Sequence, residues 1–154
     1  MKYVQRVLQP DETVVHQSRL HPLISLPALI LLVIGLALLV ASGQFGDQKI
    51  SIGFEVAAAM FGLLALASWA RAAIRRATTE LAVTDRRVIY KSGLFARHTL
   101  EMNRSKVESV DVDQSIFGRM LDYGDVIIHG TGAGLEPLPN IDHPLELRNH
   151  ITAV

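Results

Sequence analysis

The chain has 154 residues, 49% of them hydrophobic, with 15 Lys and Arg balanced by 15 Asp and Glu and no cysteine. That length holds one small globular unit beside any membrane anchor, and the lack of thiols excludes disulfides and thiolate chemistry. The charge is divided unevenly: residues 1–77 sum to plus three and residues 78–154 to minus three, so the second half has no broad electrostatic footprint for nucleic acid.

Residues 1–20 are polar around a short apolar core. Pro10-Asp11-Glu12 reads as a turn, and Thr13-Val14-Val15-His16-Gln17-Ser18 has enough β-branched character for one strand. A lone strand is unstable, so this segment is a candidate to pair with the C-terminal half. Leu23 to Val40 follows, without a charged residue and with only Ser25, Pro27 and Gly35 interrupting its aliphatic run. Eighteen helical residues reach roughly 27 Å, close to the roughly 30 Å hydrocarbon core of a bilayer. A buried soluble helix would seldom lack a polar face for so long. The run therefore predicts a membrane span.

Ile50 to Ala70 is a second apolar segment, richer in Ala and Gly and carrying Glu55. A carboxylate costs about 2.5 to 3.5 kcal/mol at mid-bilayer and less near the interface, so the helix is expected to slide until Glu55 lies at the mouth. The spans then cover about residues 23–41 and 53–74 of a hairpin at 21–76. Lys2, Arg6 and Arg19 precede the first span and Arg71, Arg75 and Arg76 follow the second, whereas the connecting loop holds only Lys49. The positive-inside bias predicts that both termini are cytoplasmic. The first apolar run is too long, and starts too far from the N-terminus, for a cleaved signal peptide.

From Thr79 the period becomes twofold. Leu81 and Val83 alternate with Glu80, Ala82 and Thr84, which predicts a half-buried strand. Asp85-Arg86 breaks it before a second strand at Arg87 to Lys91, and a turn at Ser92 to Phe95, with Gly93 supplying positive φ, precedes a third at Thr99 to Asn103. Val107 to Gln114 predicts a fourth strand, in which Val107 is out of step with Val110 and Val112 unless a bulge there, or a strand that starts later, restores the phase. Ser115 to Leu121 reads as a short helical or irregular turn that tucks Phe117 and Leu121 inward. Val126 to His129 predicts a fifth strand, a loop closes around Gly130, Gly132 and Gly134, and Pro137 and Pro139 restrict Leu135 to Ile141 to an edge strand. Asp142-His143-Pro144 signals a helix start, with Leu147 and Ile151 one turn apart. Short strands with regular turns and one terminal helix indicate an α+β unit built on a small, partly closed sheet or barrel.

Residues 81–89 (LAVTDRRVI), 91–94 (KSGL), 106–115 (KVESVDVDQS) and 123–128 (YGDVII) together resemble the bacterial pleckstrin-homology-like (PH-like) domain of small YdbS-type membrane proteins. The resemblance covers essentially the whole chain, the two spans included. It implies a two-helix transmembrane hairpin in the bacterial inner membrane at 21–76. A cytoplasmic antiparallel PH-like β-barrel of about seven strands with a C-terminal helix would follow at 77–154. Six strands are read after the spans, and the strand within residues 1–20 would be the seventh. The resemblance also implies a binding or assembly module with no enzymatic reaction.

Arg86 and Arg87 are candidates to hold a lipid phosphate or a partner carboxylate, but a hairpin places charges opposite each other, so pairing with Asp85 or a cross-strand acid competes. Arg71, Arg75 and Arg76 are candidate lipid contacts that also serve as topology anchors. Glu55 reads as an intramembrane polar contact or as an interfacial carboxylate. Ala58 and Gly62 have the small-xxx-small spacing that lets helices approach closely. The glycines after His129 lack the lysine-serine ending and the following helix of a phosphate loop, and His129, His143 and His150 are spaced too irregularly for a metal motif. No metal, cofactor, small-molecule substrate or nucleic acid is expected. The resulting expectation is a non-enzymatic, membrane-anchored module that binds another protein or itself. Recognition of anionic lipid headgroups is the alternative, and an accessory subunit of a membrane complex or transporter is a third reading that depends on Glu55.

Overall fold

The computed structural model describes residues 3–94, 96–131 and 137–153. The chain forms two compact units, Pro22–Ile74 and the combination of Met1–His21 with Arg75–Val154. Lys2, Phe95, Gly132, Gly134 and Leu135, which figure in the expectations above, lie outside the described residues.

In the Pro22–Ile74 unit, a 3-10 turn at Pro22–Ser25 leads into α2 (Leu26–Ser42), and α3 (Gln48–Thr78) begins after a short loop. The label α1 belongs to a short helix at Val4–Val7 in the other unit. Pro27 falls in the first turn of α2, where its missing N–H has no intrahelical acceptor to lose. Both helices are long and apolar enough to cross a membrane: Pro22–Ser42 has a mean hydropathy of 3.0 and Gln48–Thr78 one of 2.0, with 11% of each apolar window buried. Leu29, Ile30, Val33 and Leu36 are exposed, which a soluble core helix would not tolerate. At 31 residues, α3 is about 46 Å long and exceeds the bilayer core. The helices meet where Gly35 faces α3, since a Cβ there would lie 3.3 Å from both Ala58 O and Phe61 Cβ. Phe45 stacks on Phe54 at 4.9 Å beside the loop.

Among the described residues the second unit holds seven strands, two short α-helices besides α1, and a 3-10 turn at Arg104–Lys106. A four-stranded antiparallel sheet runs in the order β1 (Val14–Ser18), β2 (Glu80–Thr84), β3 (Arg87–Ser92), β4 (His98–Asn103). A three-stranded sheet follows in the order β5 (Val107–Asp113), β6 (Tyr123–Gly130), β7 (Leu138–Asp142), with α4 (Ile116–Met120) between β5 and β6 and α5 (Pro144–Thr152) at the end. The chain just beyond β1 joins the sheets: His21 N donates to Asn140 O at 2.8 Å, Asp142 N to Arg19 O at 3.0 Å, and Leu20 bridges Ile141. Among the described residues β4 pairs only with β3 and β5 only with β6, so the barrel is not closed. The N-terminal strand does pair with the C-terminal half, as the seventh strand.

The β2 strand is buried on both faces rather than half-buried. Its cross-strand pairs divide the core: Leu81 with Tyr90 and Val83 with Val88 on one side, Ala82 with Ile89 on the other. Val4 of α1 covers the second side, packing with Ala82 and Ile89, while Tyr3, Val7 and Val14 surround them. Glu80 lies on that covered side because its carboxylate accepts from the Val4 amide at 3.2 Å and the Tyr3 amide at 3.1 Å, capping the N-terminus of α1. The first side faces α5, which packs against both sheets. Leu147 and Ile151 are buried there, each stabilising the unit by about 1.5 to 3 kcal/mol. Gly93 adopts φ +90, and β5 has an irregular register between Val107 and Ser109, as the broken phase required.

Candidate binding surface

Arg87 is committed to the fold. Its Nη2 lies 2.8 Å from Glu12 and its Nη1 2.7 Å from Glu101, and Nη2 also donates to Val7 O at 2.7 Å. The Glu12 side chain is 0% exposed, and it further accepts from Thr84 Oγ1 and the Gln9 amide, both at 2.8 Å. The guanidinium holds the Glu12 carboxyl down at a pKa of about 2 against the desolvation that opposes it, and raises that of Arg87 in return. This pair locks the turn after α1 to β3 and β4. Arg86 is exposed, with Asp85 3.9 Å away. The two arginines that look alike in sequence thus have different surroundings.

Arg71, Arg75 and Arg76 are all exposed, and the Nε of Arg76 donates to Leu20 O at 3.3 Å. Glu55 is exposed on α3 and accepts from Ser51 Oγ at 3.2 Å, one helical turn away. Of the small-residue pair, Ala58 meets Gly35, whereas a Cβ on Gly62 would touch nothing within 4 Å. Gly62 instead borders two apolar grooves between the helices, of about 410 and 240 Å³, the smaller of which Glu55 also lines.

The largest departure from expectation is α4. Phe117 and Leu121 do not tuck inward. Ile116, Phe117 and Met120 are 80, 69 and 75% exposed, and Leu121 is also exposed. The segment presenting them is firmly held: Ser115 Oγ caps the helix by accepting from Gly118 N at 3.0 Å, and Gln114 Nε2 donates to Gly118 O at 3.3 Å and Tyr123 O at 3.1 Å. Gly118 is buried against the following strand, where a Cβ would lie 2.7 Å from Tyr123 O. The knuckle therefore offers three or four apolar side chains on a braced backbone. Twofold alternation does not run through a five-residue helix, and nothing else in residues 115–121 marks which side of it faces out. Arg119 is exposed on the same helix, and the exposed carboxylates of Asp113 and Asp122 flank it.

The remaining acids and histidines are largely paired. Asp111 lies 2.9 Å from His129, and Asp125 accepts from the Asn140 amide at 2.8 Å. His143 Nδ1 is 2.5 Å from Asp122, which raises the imidazole pKa, Asp142 adding to the effect. His150 stacks not on another histidine of the C-terminal half but on His16 of β1. The irregular spacing of the histidines along the chain does not reveal that meeting. No curated protein and no solved structure matches the chain. The family model of the bacterial PH domain matches residues 21–154, nearly the whole chain, both long apolar helices included. PH-like domains are generally non-enzymatic binding modules, and by this match the chain belongs to the bacterial PH domain family.

Proposed function

We propose that this protein is a membrane-anchored, non-catalytic docking module. The helical hairpin spans the membrane, both termini are cytoplasmic, and the PH-like unit binds a partner protein through α4. The observation that carries the reading is the exposure of Ile116, Phe117 and Met120 on a backbone braced by Ser115 and Gln114. Monomeric surfaces rarely bring large apolar side chains together without a use, and apolar and aromatic anchors dominate protein interfaces.

Charge favours protein over lipid as the partner. An interfacial lipid anchor is expected to be ringed by Lys and Arg, whereas α4 has one arginine between Asp113 and Asp122, in a region that sums to minus three. The matching surface is an apolar pocket with a basic rim. Arg87 adds little to a lipid reading, because its guanidinium is already bound to Glu12 and Glu101. The open β4 and β5 edges offer a further place for an extended segment to pair. The experiment is co-purification from mildly solubilised membranes of the wild-type chain and of an Ile116→Ser, Phe117→Ser variant. A partner or a second copy retained by the wild type and lost by the variant supports the proposal. A partner retained equally by both overturns the role of α4. Binding to anionic vesicles that the variant loses favours lipid instead.

A further inference from the structure

His16 of β1 and Glu146 and His150 of α5 converge on one point of the PH-like unit, although about 130 residues separate the strand from the helix. Glu146 and His150 are one helical turn apart and share a face of α5. The imidazoles of His16 and His150 stack with centroids 4.4 Å apart. Glu146 Oε1 lies 3.9 Å from His16 Nδ1 and 3.7 Å from His150 Nε2, and the donor atoms of all three residues lie within 4.8 Å of one another. In a tetrahedral zinc site, with bonds of about 2.0 to 2.2 Å, neighbouring donors are roughly 3.3 Å apart. Two of the three edges therefore need to close by only about half an ångström, and the third closes when one imidazole turns out of the near-parallel stack so that both ring lone pairs meet at one point.

The surroundings are those of a ligand set. His16 Nε2 lies 3.0 Å from the Oγ of Ser18, a buried residue on the same face of β1. An Nε2–H donated to that oxygen leaves Nδ1, 3.9 Å from Glu146 Oε1, as the unprotonated nitrogen, and an outer contact of this kind fixes a ligating imidazole. A register shift between Val14 and His16 makes this possible: Val14 packs with the Val4 cluster on one side of the sheet, while His16 faces α5 on the other. His16 is half-buried and Glu146 exposed, so the site has a protected floor and an open mouth.

We propose that His16, Glu146 and His150 bind a divalent transition metal of the zinc class, with a fourth position open to water or to a ligand. Two imidazoles and one carboxylate suit zinc over calcium or magnesium, which prefer oxygen donors. The metal clasps the N-terminal strand to the C-terminal helix. His16 precedes residues 21–154, so the family match does not supply this site. It does not depend on the role proposed for α4.

The test uses the untagged full-length chain in detergent micelles, treated with a chelator and then titrated with zinc chloride by calorimetry, with thermal unfolding followed in parallel. One equivalent is expected to bind and to raise the melting temperature. His150→Gln and Glu146→Gln abolish both effects while retaining the far-UV spectrum, Ser18→Ala weakens binding by about tenfold, and His129→Gln binds as the wild type does. Bound Co2+ shows the visible absorption of a tetrahedral site in the wild type alone. No stoichiometric binding, or equal binding by His150→Gln and Glu146→Gln, overturns the proposal.

Discussion

Glu12 and Arg87 decide how the N-terminal segment is held. A carboxyl whose pKa falls from 4.5 to about 2 on folding stabilises the native state above pH 4.5, by about 3 kcal/mol for a side chain with no exposure, and loses that stabilisation as the pH drops toward 2. Unfolding monitored between pH 6 and pH 2 is expected to show this loss, and Glu12→Gln to flatten it. Arg87→Ala leaves a buried carboxylate without its partner and is expected to cost about 3 to 5 kcal/mol in chemical denaturation. Neither partner was legible as such. From sequence Glu12 belongs to a turn and Arg87 is expected to pair with Asp85 or a cross-strand acid; Glu101 is that acid, but Glu12 lies 75 positions away. Among the residues of the hairpin, Gly62 is open enough that a Cβ added there meets nothing within 4 Å, and Gly62→Leu would extend into the grooves it borders. If its grooves receive a helix of another chain, the variant runs as a smaller particle in mild detergent; an unchanged size excludes that role.

The strands were readable wherever one face is apolar and the other polar, and they blurred where both faces are covered. Alternation located β2, β3, β4 and β5 to within two residues, and the misplaced Val107 correctly marked an irregularity. It read β2 as half-buried because nothing in residues 1–20 announced α1. A four-residue helix leaves almost no periodic trace, and its contribution comes from Val4 filling the space over Ala82 and Ile89. Deleting residues 1–18 removes both α1 and β1, and so exposes that surface and one edge of β2. The truncated chain is expected to be cleaved by protease within the C-terminal half under conditions in which the full chain resists. The α4 substitutions Ile116→Ser and Phe117→Ser are expected to change unfolding stability by less than about 0.5 kcal/mol each, because side chains this exposed contribute little packing.

At the scale of the molecule, two helices of sufficient length and hydropathy lie in the chain between β1 and the other six described strands, and the two sheets are joined by the N-terminal segment returning to the C-terminal half and by α5, which packs against both. The long apolar helices and the family were plain in the sequence, because length, hydropathy and a few clustered motifs suffice for them. The open edge between β4 and β5 and the outward face of α4 were not, since both depend on which surfaces the fold leaves uncovered. On the function proposed above, the hairpin retains the chain in the membrane so that α4 can meet a protein there. Site-specific photocrosslinking in native membranes tests this most directly, with the reactive side chain at Phe117 and, as control, at the exposed Glu108 of β5. The account expects a discrete protein adduct from position 117 that alkaline extraction leaves in the membrane, and none from position 108. Lipid adducts alone, or a chain that alkali releases in soluble form, would contradict it.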